Sequence, residues 1–61
     1  MTRKDYTLIA DAVERMARHE SKEGRQAIYG VAHALAHDLR RDNPRFERAR
    51  FMAACGFSAT D

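Results

Sequence analysis

The tripeptide Asp42-Asn43-Pro44 interrupts a 61-residue sequence that otherwise favours helix. Asn is a favourable N-cap, and proline at the first helical position sacrifices no hydrogen bond. We therefore expect one helix to end at about residue 41 and another to run from Pro44 to about residue 55. Gly56 is placed to end that last helix in a left-handed cap, with Phe57 folding back on Met52.

The segment before this break has the apolar periodicity of a helix from about residue 22 to about residue 41. Ser21 is a candidate N-cap, and the polar stretch 19–24, which contains Gly24, predicts the turn that precedes this helix. The side chains expected to face inward are Ile28, Val31, Ala32, Leu35, Ala36 and Leu39, with Tyr29 at the margin.

A first helix is predicted from about residue 4 to about residue 19, because Thr2 and Asp5 have the spacing of a capping box. Its predicted apolar face contains Tyr6, Ile9, Ala10, Val13, Met16 and Ala17, widened by Leu8 and Ala12. This arc covers about 200°, whereas one packing partner needs a stripe of ~100°. The sequence as a whole therefore predicts a single all-α domain of three helices over residues 1–61, with surplus apolar surface.

The size of the chain suggests how that surplus is used. A domain of about 60 residues buries only ~60% of the surface that its unfolded chain exposes, and here fifteen large apolar side chains and eleven alanines must form the core. Cys55 is the single cysteine, so an intrachain disulfide is excluded and a reducing compartment is expected. Since no apolar run approaches the ~18 residues of a membrane span, we expect a cytoplasmic protein that gains buried area by forming a homodimer.

Two candidate dimer seams follow from the pattern. The first is a strip of small residues on the second helix, Ala27, Gly30 and Ala34, along which another helix could approach closely. Glycine inside a helix costs ~1 kcal/mol relative to alanine, so Gly30 is either tolerated, placed at a tight crossing within the chain, or used between chains. The second candidate seam is formed by Leu8 and Phe51.

The charged residues favour a binding protein over an enzyme. The net charge is +2, and five arginines between positions 40 and 50 are interleaved with acids, which indicates a mixed surface. The residues predicted to contact a partner are Gly30, His33, Ala34, His37, Arg41, Arg45 and Arg48. A small DNA-binding transcriptional regulator is the alternative, because an arginine-bearing helix after a short turn is typical of helix-turn-helix readers.

The sequence predicts no catalytic site and no metal site. His33 and His37 have the i, i+4 spacing that can share a metal ion, but no third ligand follows nearby. Cys55 lies at a helix end, where the dipole disfavours a thiolate, so it is expected to be an inert packing residue. We therefore expect no catalytic residues, no metal and no cofactor.

Two blocks of the chain resemble a known family. They are the opening Thr2-Arg3-Lys4-Asp5-Tyr6 with Leu8-Ile9-Ala10, and the ending Asp42-Asn43-Pro44-Arg45-Phe46 with Arg50-Phe51 and Ala53-Ala54-Cys55-Gly56. Both are similar to very short proteins encoded by temperate bacteriophages and prophages, which often have Asp where this chain has Glu47 and an acid where it has Ala49. The resemblance implies a phage origin and action in the bacterial cytoplasm, and it carries no activity. The expected function is that of a small accessory protein that binds, and thereby inhibits or modulates, a host or phage protein.

Overall fold

The computed structural model describes residues 1–57 and contains three α-helices: α1 (Arg3–Arg18), α2 (Lys22–Asp42) and α3 (Arg48–Ala54). The predicted all-α, three-helix architecture is confirmed, and the described residues contain no strand. Residues 58–61 of the predicted domain lie outside the described residues. No described helix is both long enough and apolar enough to cross a membrane.

The first two helices begin where their capping residues predict. The Thr2 hydroxyl accepts a hydrogen bond from the Asp5 backbone N–H at 3.4 Å, and the Thr2 backbone N–H donates to the Asp5 carboxylate at 3.0 Å, which completes the capping box. The hydrogen bond from the Thr2 backbone holds the pKa of Asp5 below its usual value. Ser21 caps α2 by accepting from the Gly24 backbone N–H at 3.2 Å. Both helices lie within one residue of their predicted bounds.

The third helix begins four residues later than predicted. Asn43 and Pro44 are the first residues of a β-turn, in which the Phe46 backbone N–H donates to the Asn43 carbonyl at 2.9 Å. The Asn43 side-chain oxygen accepts from the Arg45 backbone N–H at 3.1 Å. Asparagine and proline favour the first two positions of such a turn as strongly as they favour a helix start, so the prediction of a helix from Pro44 was wrong.

This turn directs Phe46 into the core, where its side chain is 6% exposed and its ring lies edge-on to Tyr6 at 4.8 Å. In a helix that began at Pro44, residues 44–47 would instead have continued the surface of α3. The chain then enters α3 through Glu47, which makes no side-chain capping bond.

The predicted left-handed ending of α3 is confirmed. Gly56 has φ +92°, and the backbone N–H groups of Gly56 and Phe57 donate to the carbonyls of Ala53 and Met52 at 3.0 and 2.8 Å. This is the Schellman pattern, which needs a residue that tolerates positive φ. The ring of Phe57 then reaches α2, where it lies edge-on to Tyr29 at 5.2 Å.

Alanines dominate the core, and they let the helices pack closely. The buried residues are Ala10, Ala17, Ala32, Ala36, Phe46, Phe51 and Cys55. Helices α1 and α2 form an antiparallel pair that is joined at both ends: the Asn43 side-chain amide donates to the Tyr6 hydroxyl at 3.2 Å, and Arg25 donates to the Ala17 carbonyl at 3.3 Å. Helix α3 packs against both members of the pair. It lies on the side of α1 that carries Thr7, Ala10 and Glu14.

The opposite side of the α1–α2 pair is left uncovered. Met16 and Val31, both predicted to face inward, are 63% and 58% exposed, and Leu8 is 71% exposed. Helical register places these three side chains on the same side of the pair, away from α3. We call this surface the outer face, and it consists of Leu8, Ala12, Met16, Ala27, Val31, Ala34 and Leu35.

The structure corrects one of the two predicted dimer seams. Phe51 is only 4% exposed and packs against Phe46 with their ring centroids 5.4 Å apart. It therefore belongs to the core of the folded chain and cannot form a seam with Leu8. The prediction failed because apolar periodicity does not show on which side of α1 and α2 the third helix packs.

Candidate functional site: a basic groove between α2 and α3

A groove of about 770 Å³ separates α2 from α3 and from the turn that connects them. We call it the α2–α3 groove. Its apolar surface is formed by Tyr29, Ala36, Phe46, Met52 and Phe57, and its polar rim by His33, Arg40, Arg45, Glu47 and Arg48.

The local structure explains why these side chains converge. Residues 29, 33, 36 and 40 recur at the spacing of one helical face, so α2 supplies one complete wall. The β-turn buries Phe46 and leaves the preceding Arg45 exposed. Arg48 and Met52 stand one turn apart on α3 and form the facing wall.

Three arginines of the groove lack an acidic partner among residues 1–57. Among residues 1–57, no carboxylate lies within 4.0 Å of the guanidinium of Arg40, Arg45 or Arg48. The groove's one acid, Glu47, is engaged by Arg50 at 3.2 Å. Within the described part of the chain, the groove therefore presents positive charge that an acidic ligand could neutralise.

Aromatic side chains line the α2 end of the groove. Tyr29 is 47% exposed, its ring lies 6.1 Å from His33, and Phe57 is half-buried against it. The guanidinium of Arg25 lies over the Phe57 ring, 5.5 Å from its centroid. An apolar side chain of a ligand could pack on this surface while its acidic neighbours meet the arginines.

The groove contains some of the predicted partner-binding residues and excludes others. His33, Arg45 and Arg48 line it together. The remaining four, Gly30, Ala34, His37 and Arg41, lie outside it. Arg40 was missed in favour of Arg41, and one residue along a helix is a rotation of about 100°. The helical spacing of residues 29, 33, 36 and 40 indicates that they share one face of α2. Only the position of α3 shows that this face lines a groove.

Gly30 has open space around it. Among residues 1–57, a Cβ built at this position meets no atom within 4 Å outside its own helix and chain neighbours. A tight crossing within the chain, one of the explanations left open by the sequence, is therefore excluded.

A smaller hollow of about 360 Å³ lies between α1, the turn and α3. Among its polar side chains, Asn43 donates to Tyr6, Thr7 donates to the Arg3 carbonyl and Arg50 pairs with Glu47, which leaves Arg3 and Arg45 without a carboxylate partner among residues 1–57. It therefore offers a ligand fewer free groups than the α2–α3 groove does.

The histidines do not converge on a ligand set. His33 faces the groove, whereas the ring of His37 lies 3.5 Å from the carboxylate of its neighbour Asp38. Within residues 1–57 no three metal-ligating side chains come together.

Cys55 is fully buried, and desolvation raises the pKa of its thiol to about 11. The nucleophilic form of a cysteine is the thiolate. At neutral pH the side chain is therefore protonated and serves as a packing group.

The buried thiol predicts a loss of stability at alkaline pH. Its pKa is about 11 in the folded chain and 9.0 without burial, so above pH 9 the unfolded chain releases a proton that the folded chain retains. The free energy of unfolding is expected to fall between pH 9 and pH 11, by at most about 1.4 kcal/mol per pH unit. Below pH 9 the contribution is constant.

Urea unfolding of the wild type and of Cys55→Ala, at about pH 8 and at about pH 10.5, measures this effect. The other ionisable groups are the same in both proteins, so the difference between the two isolates the thiol. We expect the stability advantage of the wild type to shrink at the higher pH. An unchanged difference would contradict the prediction.

Comparisons with family models, with curated proteins and with solved structures gave no match for this chain.

Proposed function

We propose that the protein acts by binding an acidic segment of another protein in the α2–α3 groove. The observation that carries this proposal is the set of three arginines, Arg40, Arg45 and Arg48, that surround an apolar surface and have no carboxylate partner among residues 1–57. The best ligand has two or more carboxylates beside an aromatic or aliphatic side chain. Charge-assisted hydrogen bonds to arginine contribute affinity, and the apolar anchor contributes buried area.

The proposal extends to the biological role. The resemblance of the two terminal blocks to short phage and prophage proteins supports a role in the bacterial cytoplasm, as an accessory protein that inhibits or modulates its target. Occupying a site on the target is sufficient for such a role, so no catalytic group is required.

The arrangement of the arginines favours a protein ligand over duplex DNA. They surround a concave, partly aromatic groove, whereas readers of the major groove present a protruding helix. The net charge of +2 is also small for a protein that must displace counterions from several phosphates.

Fluorescence anisotropy tests the proposal with three labelled probes. They are an acidic peptide of Asp and Glu with one Phe and one Leu, a basic peptide in which Lys and Arg replace Asp and Glu, and a duplex DNA. We expect the acidic peptide to bind and the basic peptide not to bind. Arg48→Glu should weaken binding of the acidic peptide by roughly tenfold or more, since a charged hydrogen bond of about 1.5–3 kcal/mol is replaced by repulsion.

Lys4→Glu provides the matched control, because it makes the same charge change at an exposed position outside the groove. It should affect the peptide affinity far less than Arg48→Glu does. Equal weakening by the two variants would show that only net charge matters. Tight DNA binding at physiological salt without peptide binding would replace the proposal with the DNA-binding alternative.

A further inference from the structure

The outer face is an apolar surface that the groove does not use. Three of the five exposed large apolar side chains of the protein, Leu8, Met16 and Val31, lie on it. All are more than half exposed, and charged residues lie beside them at helical spacing: Asp5, Asp11 and Arg15 around Leu8, and Asp38 one turn from Ala34 and Leu35. We propose that a second copy of this chain covers the outer face, so that two α1–α2 pairs pack face to face. This proposal is independent of the function proposed for the groove.

The first argument is the exposed area. The accessible surface of all 61 residues, the four outside the described part included, is 4744 Å², whereas a monomeric globular protein of 7.0 kDa is expected to expose about 4000 Å². The excess is about 700 Å², and a standard protein interface removes about 800 Å² from each partner. One contact of ordinary size would thus return the chain to the exposure of a typical folded protein.

The second argument is the composition of the core. Four of the seven buried residues are alanines, and only Phe46 and Phe51 are large. A core of this kind supplies little stability by itself, so the chain gains most from a partner that is always present. A second copy is made together with the first, which a separate target protein is not.

The third argument is the chemistry of the surface. Its centre is apolar and its rim carries charges of both signs, Asp5, Arg15 and Asp38, so the same surface on a second copy can cover it, as a two-fold symmetric contact requires. The small residues Ala27, Gly30 and Ala34 run along its edge on α2, where Gly30 has open space. They leave room for a helix of the second copy to approach.

Analytical ultracentrifugation of the wild type and of three variants tests the proposal. The wild type should have twice the mass of the 7.0 kDa chain. Leu8→Asp and Val31→Asp should each raise the dissociation constant of the dimer at least about a hundredfold, because a carboxylate would be buried without a partner. Gln26→Asp places the same charge on an exposed helical position outside the outer face and should leave the mass unchanged.

Thermal unfolding keeps the test informative if the aspartate variants fail to fold. The unfolding midpoint of a wild-type dimer rises with protein concentration, whereas that of a monomer does not. A rising midpoint together with loss of folding in Leu8→Asp supports the proposal, since Leu8 is exposed in the isolated chain and its replacement should otherwise be harmless. A concentration-independent monomer would overturn it. So would a dimer that Leu8→Asp and Val31→Asp leave as tight as Gln26→Asp does.

Discussion

Replacing Phe51 with alanine is expected to remove about 3–5 kcal/mol from the free energy of unfolding. The Phe51 side chain is 4% exposed and forms one end of a row of aromatic rings, through Phe46 to Tyr6, that joins α3, the turn and α1. Domains of about 60 residues have only about 3–9 kcal/mol in total at ordinary stability per residue. We therefore expect Phe51→Ala to lose most of its helical circular dichroism at 25 °C, or to unfold at much lower urea.

Met52→Ala is the matched control for this prediction. Met52 is the next residue of α3 and is half-buried, so its truncation removes less packing. It should unfold at a urea concentration between those of Phe51→Ala and the wild type. If the two variants unfold together, the aromatic row does not hold α3 in place.

Replacing Ala32 with leucine is expected to cost 1–3 kcal/mol or more by overpacking. Ala32 is 0% exposed and belongs to the core cluster formed where the helices meet. A leucine there cannot be accommodated unless the helix backbones move apart. Because leucine is nearly as good a helix former as alanine, the loss would measure packing and not helix propensity.

Ala53→Leu makes the same exchange at an exposed position of α3. Its unfolding free energy should stay within about 0.5 kcal/mol of the wild type. Comparable destabilisation by the two leucines, measured in urea, would show that Ala32 does not lie at a tight helix contact.

Local signals predicted the helix ends well. The capping box of α1, the Ser21 cap of α2 and the Gly56 ending of α3 each depend on hydrogen bonds between residues at most five positions apart. Their positions can therefore be predicted from residues close together in the sequence, without knowledge of the tertiary packing. Asn43 and Pro44 are the exception, because their preferences fit a β-turn and a helix start equally, and the choice was made by the burial of Phe46 against Tyr6, forty positions away.

Periodicity was less informative about which apolar residues are covered. It correctly assigned Ala10, Ala32 and Ala36 to inward faces, but it also assigned Met16 and Val31, which are exposed. The helical pattern gives the angular width of an apolar face, whereas the position of α3 decides which part of that width is buried. The same uncertainty explains the candidate site: His33, Arg45 and Arg48 were predicted, but Arg40 and the aromatic residues that complete the groove were not.

The shortness of α3 gives the two walls of the groove different mechanical properties. A helix in isolation needs about 12–15 residues to persist in water, whereas α3 has seven and α2 has twenty-one. The α3 wall is therefore held in helical form by the burial of Phe51 and Cys55, and its exposed first turn is the part of the groove that opens most readily. A ligand that bridges both walls would suppress this opening. Its binding free energy would therefore be reduced by the cost of ordering α3.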